Sequence, residues 1–211
     1  TKKKDKINLI QNKALELSLF LSIPSAVALI IASEEIVSAL FGYGSFNQVG
    51  VKNTALAVFY FAMGLPAFSI AKIFLSFSFA RHNTKMPFYT SLASVILNII
   101  ISVSFFSLIG FIIIPIATTI SAWVHTILLF YFLKKDELFN FNKAFFDRFI
   151  RIIFSVILMG IFFNFIINFF ENNLAYEENF KIFYLILIVL LGLIFYLIIA
   201  IFIKAFKISD I

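Results

Sequence analysis

Cysteine is absent from the 211 residues, which excludes a disulfide framework, thiol chemistry and any Cys-ligated metal site. Histidine occurs only twice, at His82 and His125, in no ligand spacing such as His-Glu-x-x-His. No glycine-rich phosphate loop and no nucleophile motif is present, so an enzyme, a bound metal and a cofactor all lack a basis. Charge is scarce: Asp, Glu, Lys and Arg make up 13% of the chain, against 62% hydrophobic residues and a mean hydropathy of +1.05. That balance excludes a soluble globular domain. The formal net charge of +6 is not a nucleic-acid footprint either, because the basic residues do not form a patch but sit in short segments between apolar runs.

Six such runs fill most of the chain: residues 14–33, 54–80, 88–108, 111–133, 152–170 and 182–203. A hydrocarbon core of roughly 30 Å takes about 20 helical residues, so each run spans a bilayer or comes close. None shows the polar stripe that a water-facing helix of that length needs. The expectation is an all-α integral membrane protein with six transmembrane helices. The 31 Phe residues then read mainly as lipid contact and helix packing.

The connecting segments alternate in charge. Residues 1–13 carry Lys2, Lys3, Lys4, Lys6 and Lys13 against Asp5; the first link carries Glu34 and Glu35 against Lys52. The second has Arg81 and Lys85, and the third is an uncharged turn at Gly110. The fourth holds five basic residues, the fifth has Glu171, Glu177 and Glu178 against Lys181, and the tail has Lys204 and Lys207 beside Asp210. Of the 17 Lys and Arg, 14 thus fall on one side, two on the other, and Lys72 inside a span. The positive-inside rule places both ends in the cytoplasm. Because the chain opens at Thr1 and runs straight into charge without a signal peptide, it is expected to be the C-terminal part of something longer.

Residues 1–133 read as one packed unit of four spans, since small residues recur at helix-contact spacing in the first (Ser18, Ser22, Ser25) and fourth (Ala117, Thr118, Ser121). Pro24, Pro66 and Pro115 are each expected to kink a span. Residues 134–151 mix charge with Phe139, Phe141, Phe145, Phe146 and Phe149, and are expected to lie along the cytoplasmic interface as an amphipathic helix. Residues 152–211 then supply two peripheral, lipid-facing spans and a cytoplasmic tail.

Ionisable residues within spans cost about 2.5–3.5 kcal/mol at a helix centre and so draw attention. Lys72 lies about 12 Å from the nearer span end at 1.5 Å per residue, the limit of a lysine's reach to the interface. It divides evenly between lining a cavity and snorkelling or pairing. Glu16, one turn inside the first span, weighs towards a solvated or Lys-paired helix end, and pairing with Lys72 is open to it. Asn98 weighs towards an interhelical hydrogen bond. His125 is evenly poised, with Ser121 four residues earlier on the same face.

Several runs then stand in register: Leu21–Val27 (LSIPSAV), Leu40–Phe46 (LFGYGSF), Tyr60–Phe68 (YFAMGLPAF) with Lys72, and Phe79–Pro87 (FARHNTKMP). In order and spacing they resemble the C-terminal half of the MurJ/MviN lipid II flippases, within the MOP exporter superfamily, over about residues 8–135. The resemblance implies the last six spans of a fourteen-helix transporter in the bacterial cytoplasmic membrane. Its substrate would be an undecaprenyl-pyrophosphate-linked oligosaccharide moved by alternating access, its partners membrane lipids and an N-terminal lobe missing here. Lys72 matches a basic position common in the family and is the leading cavity or gating candidate, with Glu16, Asn98 and His125 behind it. Glu16 stands where some relatives carry Arg. In the cytoplasmic link of Arg81, Asn83 and Lys85, Asn83 replaces a customary Asp. The alternatives are another exporter of the superfamily, for lipid-linked polysaccharide or drugs, and a non-transporting membrane scaffold.

Overall fold

The computed structural model describes residues 2–205, with side chains from residue 4 onward. Lys207 and Asp210 lie outside the described residues. The described residues form seven α-helices: α1 (Lys2–Ile31), α2 (Ser33–Phe41), α3 (Gln48–Phe79), α4 (Lys85–Ile109), α5 (Ile113–Lys135), α6 (Lys143–Phe169) and α7 (Lys181–Phe202). Short 3-10 turns, Gly110–Ile112 and Glu171–Leu174, follow α4 and α6, and no strand occurs among the described residues. The protein is an all-α integral membrane protein, and all six expected spans are helical. Among the described residues five apolar helical runs are long enough to cross a membrane, and one of these, Lys85–Lys135, is the 51-residue run containing both α4 and α5.

Several helices outrun the apolar windows. At 1.5 Å per residue, the 30 residues of α1 reach about 45 Å, well past the hydrocarbon. Backbone hydrogen bonding does not stop at the bilayer surface, so the polar residues 2–13 extend the first span as helix. Residues 136–142 leave regular helix, while 143–151 form the first turns of α6, continuous with the fifth span.

The described residues divide into two compact units. The first takes the chain up to Ser22 together with Met63–Phe149; the second takes Ile23–Ala62 and the chain from Ile150. In the first, α4 and α5 form an antiparallel hairpin: Ser91 meets His125, Ser94 meets Ser121 and Asn98 meets Thr118, so one number falls as the other rises. Gly110 makes the reversal at φ 73°, ψ −152°, a backbone region open essentially to glycine alone. Pro115 falls in the first turn of α5, where its missing N–H has no helical partner to lose; the expected kink there has no cause. Pro66 is within α3, and α5 reaches the carbonyls beside it: Trp123 Nε1 donates to Met63 O at 3.1 Å and Thr126 to Ala67 O at 2.9 Å. Close approach is possible because Gly64 faces Thr119, whose Oγ1 would lie 2.9 Å from any added Cβ.

In the second unit, α7 packs against both α2 and the 3-10 turn Glu171–Leu174. The core joins Ala32 and Ala39 to Phe163, Ile167, Leu174 and Ile188. Much of the remaining apolar surface is bare: Val103 is 73% exposed, Leu108 78% and Phe202 87%. In water this would be untenable; against lipid or further helices it is expected.

The Gly110→Val variant forces a β-branched side chain into this glycine-only backbone. A loss of about 1–3 kcal/mol is expected, read as a lowered unfolding temperature of the detergent-solubilised protein.

Candidate functional site

Polar groups at membrane depth need partners within the fold, and the α4–α5 hairpin supplies them as a continuous seam. Asn98 Nδ2 donates to Thr118 Oγ1 at 3.1 Å, and the Thr118 hydroxyl donates in turn to Ile114 O at 2.8 Å. Ser94 donates to Ser121 O at 2.8 Å, and the Ser91 hydroxyl lies 3.3 Å from His125 Nε2. Beside the seam, Phe68 and Ala71 of α3 help enclose a cavity of about 250 Å³, lined also by Ser94, Asn98, Ser121 and His125. Asn98 and His125 are therefore brought to one place.

Lys72 neighbours Ala71 yet is exposed and does not line that cavity. Among the described residues its ammonium has no ion-pair or hydrogen-bond partner. Ser69, Lys72 and Ser76 follow one another at spacings of three and four, so they share a polar face of α3. The Ser76 hydroxyl donates to Lys72 O at 2.9 Å.

Glu16 does not pair with Lys72. It is buried, and Arg148 Nη1 of α6 donates to its Oε2 at 2.7 Å, an ion pair with charge-assisted geometry. Nearby, asparagines clamp the 136–142 loop onto α1. Asn140 N–H donates to Asn8 Oδ1 at 3.1 Å, Asn142 N–H donates to Asn12 Oδ1 at 3.2 Å, and Asn12 Nδ2 returns a bond to Asn140 O at 2.9 Å. Arg81 Nη2 donates to Leu138 O at 3.0 Å, tying the second link to the same loop. Asn83 has a local role: its Oδ1 accepts Met86 N–H at 3.2 Å, satisfying a free donor in the first turn of α4. Lys85 is exposed at the start of that helix. A cavity of about 530 Å³ opens among Lys4, Gln11, Arg81, Lys134 and Glu137.

The second unit contains a feature that charge counting alone did not single out. Lys181, at the head of α7, is only 1% exposed. Its ammonium donates to Gly42 O at 2.9 Å and Tyr176 O at 2.6 Å, and lies over the rings of Tyr43 and Tyr176 at 4.4 and 4.7 Å. Tyr176 in turn donates its hydroxyl to Phe46 O at 2.7 Å. The 40–46 run is thus held by a buried cation. The signal was there in outline: a lone basic residue abutting an apolar run, with tyrosines close by in sequence.

A buried charged pair and a neutral seam bond should differ in strength. A double-mutant cycle on Glu16→Gln and Arg148→Gln is expected to give a coupling of about 1–3 kcal/mol, and one on Asn98→Ala and Thr118→Ala about 0.6 kcal/mol. Chemical unfolding in mixed micelles measures both.

The family model for "Lipid II flippase MurJ" matches residues 1–185. A probable lipid II flippase MurJ from Rickettsia prowazekii is 35% identical over 128 residues, which is 61% of this chain and 25% of that protein. Its counterpart from Rhizobium meliloti is 34% identical over 121 residues, covering 57% and 23%. The Thermotoga maritima protein is 36% identical over 104 residues, covering 49% and 22%. The chain thus spans about a quarter of the length of these curated relatives. A solved structure titled as lipid II flippase MurJ in an inward closed conformation matches with a TM-score of 0.73 and 26% identity, over 96% of this chain and 40% of that one. Helices, hairpin and sequence agree along the same stretch, and the chain belongs to the MurJ family of lipid II flippases.

Proposed function

We propose that this chain works as part of a lipid II flippase in the bacterial cytoplasmic membrane. It carries an undecaprenyl-pyrophosphate-linked precursor across by alternating access, together with an N-terminal lobe supplied by the rest of the protein. The observation that carries this reading is the fold likeness to a lipid II flippase over 96% of the chain. Residues 1–133 act as four spans of the second lobe, 134–151 as a cytoplasmic interfacial segment and 152–211 as a terminal pair of spans. Both ends face the cytoplasm, as the distribution of basic residues favours.

Lys72 is the residue we assign to the translocation path that the N-terminal lobe would complete, distinct from the α3–α4–α5 cavity that it does not line. A cation left without a partner on a spanning helix is costly against lipid. Its Ser69–Lys72–Ser76 face suits water or an anionic headgroup. A pyrophosphate needs such cations, while the polyprenyl tail needs only an apolar groove. Glu16, held by Arg148, acts instead as a fixed point at the cytoplasmic end. Asn98 and His125 serve the hairpin seam beside the cavity, and Arg81, Asn83 and Lys85 serve the link that turns into α4. The scaffold alternative loses its simplest support, because Glu16 is engaged by Arg148 rather than by Lys72.

In the intact flippase, Lys72→Ala is expected to cut outer-face lipid II at least about tenfold while membrane abundance stays normal; Lys72→Arg retains activity. Wild-type transport by Lys72→Ala contradicts the assignment. This chain has no native cysteine, so with any cysteine elsewhere in the intact protein replaced, single sites in it can be labelled. With an impermeant maleimide, Ser45→Cys should react from outside intact cells, and Lys85→Cys only after lysis.

A further inference from the structure

Three helices pass from one compact unit to the other partway along their length. The change falls between Ser22 and Ile23 in α1, between Ala62 and Met63 in α3, and between Phe149 and Ile150 in α6. The chain has four prolines. Pro87 and Pro115 sit in the first turns of α4 and α5, where a helix has no N–H bond to lose. The other two, Pro24 and Pro66, lie inside α1 and α3, beside the changes of unit.

Their placing is more specific than nearness. In an α-helix each N–H donates to the carbonyl four residues back, so only a few such bonds cross any one point of it. A proline at 24 deletes the bond to residue 20, and a proline at 66 deletes the bond to residue 62. Phe20 and Pro24 belong to different units, and so do Ala62 and Pro66. Each proline therefore removes one of the few backbone bonds that would tie the two units together along its helix. Its ring also crowds the carbonyl four residues back, which opens that turn. The residues at the same points are small, Ser22 in α1 and Ala62 and Gly64 in α3, and resist bending little.

On either side of the breaks the helices are held within their own units. In the first, Trp123 and Thr126 of α5 donate to the carbonyls of Met63 and Ala67, and Gly64 lets α3 meet α5 at Thr119. Met63 is the first residue of α3 in that unit, so this brace begins where the unit begins. Glu16 of α1 is fixed there too, by Arg148. In the second unit α1 is seated on α6, where a Cβ on Gly160 would lie 3.2 Å from the Val27 side chain. Bending freedom is left to the turns between these anchors. We propose that residues 20–24 of α1 and 62–66 of α3 form a paired hinge about which the two units change their mutual angle, while α6, which has no proline, flexes. The hinge is independent of the transport reading; where that reading holds, it gives this part of the flippase an internal motion.

Spin labels on paired cysteines report such a motion as the width of a distance distribution, read by double electron–electron resonance. The intact protein is used in nanodiscs, with any cysteine outside this chain replaced. Four exposed positions serve: Ser45→Cys and Glu177→Cys in the second unit, Lys85→Cys and Lys134→Cys in the first. The pairs 45–177 and 85–134 each lie within one unit, while 45–85 and 177–134 span both. The spanning distributions are expected to be about twice as wide as the within-unit ones, because a proline break frees a bend that a complete helix resists. Restoring both bonds with Pro24→Ala and Pro66→Ala should narrow them to the within-unit width and leave the within-unit pairs unchanged. Pro115→Ala restores no bond and should alter none of the four. The comparison of pairs in the wild-type background needs no proline variant, so the hinge is open to refutation even where the double variant does not fold. Spanning distributions as narrow as the within-unit ones, a width that survives both substitutions, or equal narrowing by Pro115→Ala overturns the proposal.

Discussion

In hydrocarbon, a polar group that finds no partner inside the protein finds none at all. That constraint turns each apolar run into a helix, which satisfies its own backbone, and leaves the side chains as the remaining difficulty. The α4–α5 seam is the local answer, with Ser91, Ser94 and Asn98 each placed opposite a partner on α5. Individually such bonds are worth about 0.6 kcal/mol in a membrane. Their importance is in register, since sliding α5 by one residue would break all of them together. Gly110 allows the hairpin to close, and Gly64 lets α3 approach α5 at Thr119.

Outside the apolar region the same accounting is met differently. Asn8 and Asn12 satisfy the loop before α6, and Arg148 neutralises Glu16. In the second unit Lys181 is held by carbonyls and rings, and it forms no ion pair among the described residues. These contacts pin the ends of α6 and α7 and the first half of α1. Lys72 differs from these: among the described residues its ammonium has no partner, and it shares a polar face of α3 with Ser69 and Ser76.

Much of the architecture was legible in the sequence because bilayer thickness makes hydropathy nearly decisive. All six apolar runs are helical, and the reversal at Gly110 was visible as an uncharged gap between two of them. Helix ends were not legible, because residues 2–13 are mostly polar yet helical. Nor was the partner of Glu16, since Arg148 is 132 positions away and hydropathy this uniform gives no helix rotation. Pro115 reads as a kink when the apolar run is taken from residue 111; the helix itself begins at Ile113, which puts the proline in its first turn. Of the candidate site residues, Asn98 and His125 meet at one cavity. The asparagine clamp and the Lys181 cage are not legible in the sequence, because both consist of pairings across loops that residue type does not reveal.

The most direct test of the account is depletion of the intact flippase in its own cells, with the amount of lipid II accessible at the outer face of the membrane as the readout. The account predicts that outer-face lipid II falls while the cytoplasmic-side pool accumulates. An unchanged distribution between the two faces would contradict it.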